Sequence, residues 1–135
     1  MGKRLIWWAL AGMIFVISTI TLGALAQWLE PRYLPVVKDF RITSQVKVGK
    51  SLQISGEMTK VRESCRFQEV SAYSGKAYLH LTFPDVPPSM LGTSRAAGEQ
   101  AWGPWLVTPY HDKIRLIVRH RCHALWDTTT VLIDQ

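Results

Sequence analysis

From Leu5 to Ala26 the chain runs for 22 residues without an Asp, Glu, Lys, Arg or His, and beyond Pro35 this uniform apolarity gives way to short alternating runs. The first pattern predicts one helix with no polar face; the second predicts half-buried strands. At about 1.5 Å per residue the helix spans roughly 33 Å, enough to cross a hydrocarbon core of about 30 Å. Trp7 and Trp8 near one end and Trp28 beyond the other match the headgroup preference of indoles. Lys3 and Arg4 precede the stretch and hold the N-terminus on the cytoplasmic side, so everything after Ala26 is expected outside.

A competing reading of the same stretch is a cleaved signal peptide, because Ala24-Leu25-Ala26 has the small residues of a signal peptidase site. The apolar core exceeds the usual 7 to 15 residues of a signal h-region, which favours a retained anchor. Both readings export the remainder. The expected organisation is a cytoplasmic flank over 1–4, a membrane helix over 5–26, a linker over 27–35 and an exported β domain over 36–135. Pro31 and Pro35 oppose continuation of the helix beyond about Glu30.

Seven strands are predicted: Val36 to Ser44 with Val46 to Val48 continuing it, Ser51 to Lys60, Cys65 to Tyr73, Ala77 to Phe83, Trp105 to Thr108, Lys113 to Cys122, and Thr128 to Ile133. Gly49 and Gly75 mark tight connections. In the sixth strand Ile114, Leu116, Val118, His120 and Cys122 share one face, and Lys113, Arg115, Arg119 and Arg121 the other. Leu52, Ile54, Gly56 and Met58 form a second inward row, and Ala77, Leu79, Leu81 and Phe83 a third.

Cys65 and Cys122 are the only cysteines, both in the exported part, where thiols oxidise. One disulfide follows, placed inside between facing sheets. The fold expected is a mainly β, Ig-like sandwich of about seven strands, with an open small barrel as the alternative. Two Ig hallmarks are missing: Tyr78 and His80 stand where a Trp is usual, and no Tyr lies two residues before Cys122. The chain lacks Asn, so it has no N-glycosylation acceptor, which permits a bacterial or phage origin.

Gly49-x-x-Leu52-x-Ile54, Val61-Arg62-x-x-Cys65, and Cys122 with Trp126 resemble segments of small membrane-anchored β proteins from tailed-phage genomes. That resemblance spans most of the exported part and implies no biochemical activity.

The formal charge of +6 falls to +4 outside the N-terminal flank, a mild excess. Arg115, Arg119 and Arg121, with Lys113, form a basic stripe spaced at about 6.6 to 13 Å, suited to anionic surfaces or to a soluble outer face. The 21 residues from Pro84 to Pro104 carry four prolines and three glycines and read as a long loop. Within it Met90, Leu91, Arg95 and Trp102 are candidate partner contacts, the alternative for Trp102 being core packing with Trp105.

Catalytic readings are weak. Cys65, Cys122, His111, His120 and His123 supply zinc-type ligands, but His120 and His123 alternate across one strand and an oxidised cysteine pair holds no zinc. The expectation is a non-enzymatic binding module of the bacterial inner membrane with a periplasmic domain, needing no cofactor or metal. Its partner would be another envelope protein or an anionic surface, not nucleic acid. Other readings are an envelope-acting enzyme or lysis accessory using His111, Asp112, His120 or His123, and a structural envelope protein.

Overall fold

The computed structural model describes residues 2–84 and 95–134. They form two compact units, an N-terminal helix and a β domain that begins at Pro35.

Helix α1 (Gly2–Tyr33) is long and apolar enough to cross a membrane, and its apolar side chains are exposed along its length. That character fits a membrane anchor or a signal sequence. Its two threonine hydroxyls are satisfied internally, with Thr19 Oγ1 donating to Phe15 O at 2.8 Å and Thr21 Oγ1 to Ile17 O at 2.9 Å, as a lipid environment demands. The helix passes through Pro31, one turn beyond the stop expected at Glu30. A proline this close to the end sacrifices only the Gln27 carbonyl bond. Leu34 N still donates to Glu30 O at 2.8 Å, and Pro35 then ends the run.

The β domain contains β1 (Val37–Val48), β2 (Ser51–Lys60), β3 (Arg66–Ser74), β4 (Ala77–Thr82), β5 (Gly98–Thr108), β6 (Arg115–Arg121) and β7 (Asp127–Asp134). All neighbours pair antiparallel, in the order β1-β2-β5-β4-β3-β6-β7. The mainly β character, the seven strands and the single disulfide match the pattern of the sequence. The layout is one continuous sheet curled into a half-barrel, so the open barrel rather than a pair of separate sheets describes it. Two-residue turns join β1 to β2 and β3 to β4, with Gly49 at φ 60° and Gly75 at φ 59°.

The concave face carries the core: Leu52 and Ile54 of β2, Val70 and Ala72 of β3, Leu79 and Leu81 of β4, and Leu116 and Val118 of β6 are buried together. The β2, β4 and β6 members belong to the inward rows read from alternation, although Ala77 at the start of the β4 row is exposed. Strand β5 differs, starting at Gly98 rather than Trp105 because it pairs with β2 from Lys60↔Gly98 onward. The last third of the expected long loop, from Gly98 to Pro104, is therefore strand. Between Ile54↔Trp105 and Gly56↔Trp102 the register shifts, so β5 holds an extra residue there. This bulge lets Trp102 and Trp105, three residues apart, meet at 4.5 Å between ring centroids.

Cys65 and Cys122 are bonded. Arg66 pairs with Arg121, so the cysteines lie just past the end of the β3–β6 ladder and staple adjacent strands. The bridge thus does not cross between facing sheets, as was expected, because β3 and β6 are neighbours in the sheet.

Candidate functional site

The concave face encloses a cavity of about 140 Å³ near the disulfide end of the β domain. Met58, Phe67, Phe83, Trp102, Trp105 and Val118 wall it with apolar and aromatic surface. Lys60, Arg95 and His120 also line it, and no Asp or Glu does among the described residues.

Lys60 is at the cavity because it lies two residues past Met58 on the inward row of β2. It is 5 % exposed. Its Nζ donates to three backbone carbonyls, Arg95 O at 2.6 Å, Cys65 O at 3.0 Å and Glu63 O at 3.3 Å. Burial lowers its pKa from the ordinary lysine value; Glu63 opposes that shift and Arg95 adds to it.

His120 continues the inward row of β6 after Leu116 and Val118. It is 5 % exposed and stands edge-on to Phe67, with centroids 6.0 Å apart. Its Nδ1 is sealed from solvent and has no hydrogen-bond partner among the described residues. Burial, aided by the Lys60 charge, pushes its pKa down to about 4, so the imidazole is neutral near pH 7.

The aromatic wall is held from β1. Asp39 adopts φ 52° where β1 slips register against β2 between Lys38 and Arg41. Phe40 at this bulge stacks on Trp102, and Phe83 meets Trp105 edge-on at 5.6 Å. Trp102 Nε1 donates to Glu57 O at 3.1 Å, which satisfies the one polar atom of a buried indole. Gly56 provides the room, since a Cβ there would meet Trp102 Cζ2 at 2.8 Å and the Arg41 carbonyl.

The predicted contact residues separate. Met90 and Leu91 lie outside the described residues. Arg95 is exposed at the cavity. Trp102 is 4 % exposed and faces inward, which is its core-packing alternative and no outer contact. Arg115, Arg119 and Arg121 do occupy the outer face of β6, but carboxylates of β3 and β7 accompany them. Arg119 lies 2.8 Å from Glu69 and 3.5 Å from Asp127, Arg121 2.8 Å from Asp127, and Arg115 3.8 Å from Asp134. The Arg121 hydrogen bond holds the Asp127 carboxyl below its usual range.

The histidines do not converge. His120 is interior, His123 stacks edge-on against Trp126, and Asp112 accepts a hydrogen bond from the Tyr110 hydroxyl at 2.8 Å. Among the described residues no group of three His, Cys, Asp or Glu is placed to hold a metal ion.

Sequence reasoning overlooked Lys60. Its signal was the even-numbered spacing from Leu52, which the charge of the side chain masked. Comparison of the chain with family models, curated proteins and solved structures finds no match.

Proposed function

We propose that the chain is a single-pass membrane-anchored, extracytoplasmic binding module without catalytic activity, and that it binds through the cavity of its half-barrel. One observation carries this reading: a concave, largely apolar cavity with a few polar groups, the usual form of a small-molecule site. The outer arginines support a docking role less well, because nearby acids offset their charge.

The Lys3-Arg4 flank favours a cytoplasmic N-terminus in a bacterial inner membrane, with the β domain periplasmic. The burial of His120 and the exposed position of Asp112, bonded to Tyr110, speak against the enzyme or lysis-accessory alternative, since acid–base catalysis needs such groups within reach of one reacting centre.

Two measurements test the proposal. Protease added to spheroplasts should digest the β domain and leave a membrane-protected N-terminal fragment; full protection of the domain would refute the topology. Toluene added to the full chain in detergent should raise the unfolding midpoint and alter tryptophan emission, because a ligand that binds only the folded state stabilises it. No response to it or to any small apolar probe would remove the cavity as a binding site.

A further inference from the structure

Shape and charge in the cavity are of two kinds. At about 140 Å³ it approaches the roughly 150 Å³ apolar cavity that admits benzene. Its aromatic wall suits a ring or a short acyl chain. The polar side chains of its lining are all cationic or basic among the described residues: Lys60 buried beneath, Arg95 exposed, and the buried imidazole of His120. No carboxylate lines it among the described residues, and although the Glu63 charge offsets part of that of Lys60, Arg95 leaves the lining positive on balance, which favours an anion.

We propose that the cavity binds a small monocarboxylate whose apolar body, a ring or chain of about six carbons, packs against Trp102 and Trp105 while its carboxylate faces His120, Lys60 and Arg95. This rests on the cavity being the binding site. A single negative charge suits the site better than a dianion. The Lys60 ammonium already donates to three carbonyls and supplies field rather than new bonds, whereas a dianion needs several donors to offset its lost hydration. His120 adds a neutral donor: its ring lines the cavity, and an imidazole offers an N–H to a carboxylate through whichever ring nitrogen faces the ligand.

The test titrates the full chain in zwitterionic-lipid nanodiscs with benzoate, hexanoate, benzyl alcohol and hexanol, following tryptophan emission and the unfolding midpoint. Each carboxylate should bind about tenfold more tightly than the alcohol of matching size, the margin expected of a charge-assisted hydrogen bond. His120→Phe fills the same space without the ring nitrogens and should abolish that preference. Arg95→Gln, a change at an exposed position that does not threaten folding, should reduce it severalfold. Equal binding of acids and alcohols would overturn the carboxylate assignment and leave the cavity standing. Failure of all four probes would overturn the cavity reading too. Carboxylate preference that persists unchanged in both variants would place the anion elsewhere and refute the site.

Discussion

The ring of Phe40 lies flat against that of Trp102, with centroids 4.4 Å apart and planes inclined by 15°. This contact ties the edge strand β1 to β5, two positions away across the sheet, and backs the Trp102 ring that lines the cavity. Phe40→Ala should lower stability by about 2 to 4 kcal/mol, from lost burial and lost ring stacking. Asp39 holds a left-handed conformation one residue earlier, so Asp39→Gly should be neutral or stabilising by about 0.5 to 1 kcal/mol, while Asp39→Val should destabilise. Urea unfolding of the full chain in detergent, followed by tryptophan emission, measures all three.

Gly56 is the complement of that stack. A methyl group at this position would meet the Arg41 carbonyl, which is backbone and cannot yield, together with Cζ2 of Trp102. Gly56→Ala should therefore cost more than about 3 kcal/mol, near the upper end for overpacking, and shift emission to longer wavelength as the indole is displaced. An unchanged urea midpoint would show that β1 and β2 separate easily.

Alternation made most of the half-barrel legible, because Leu52, Ile54, Leu79, Leu116 and Val118 each recur every second residue on a face that must leave water. Three features stayed hidden. The first half of β5, Gly98 to Pro104, is poor in strand formers and is a strand because β2 pairs with it, so tertiary context overrides local propensity. Trp102 and Trp105 fall on opposite faces by simple counting, and only the bulge between them returns both to the core. The companions of the arginine stripe, Glu69 and Asp127, became visible once β3 and β7 were known to flank β6.

Arg119 sits between Glu69 and Asp127 at half-exposed positions, where an ion pair is worth about 0.2 to 1 kcal/mol. Changing Arg115, Arg119 and Arg121 together to Gln should therefore lower the urea midpoint only slightly. Retention of the detergent-solubilised chain on a polyanion column should change little, since the neighbouring carboxylates already offset these charges. A large loss of retention would restore the stripe as a docking surface.

The Cys65–Cys122 bond closes a segment with a sequence separation of 57. Reduction, or the double change Cys65→Ala with Cys122→Ala, should lower stability by up to about 4 kcal/mol through the entropy restored to the unfolded chain. Because Cys65 O also accepts from Lys60 Nζ, loosening this corner should reach the cavity. Toluene should then stabilise the reduced chain less than the oxidised one.

Acid should expose the burial of His120. Its folded pKa of about 4 lies below the ordinary 6.5, so within that window the unfolded chain binds a proton that the folded chain refuses. Stability is therefore fully present above pH 6.5 and falls as the pH drops towards 4. Between about pH 7 and about pH 5 the loss should be about 2 kcal/mol, read from urea midpoints of the full chain in detergent. The groups around the imidazole are the Lys60 ammonium, the Phe67 ring and Thr128 across the β6–β7 pair, with Arg95 on the same cavity. Asp127 contributes separately at lower pH, because its lowered pKa loses stability below the ordinary 3.8. His120→Phe should flatten the profile between pH 5 and 7 and leave the more acidic limb intact; an unaltered slope in that variant would assign the proton to another residue.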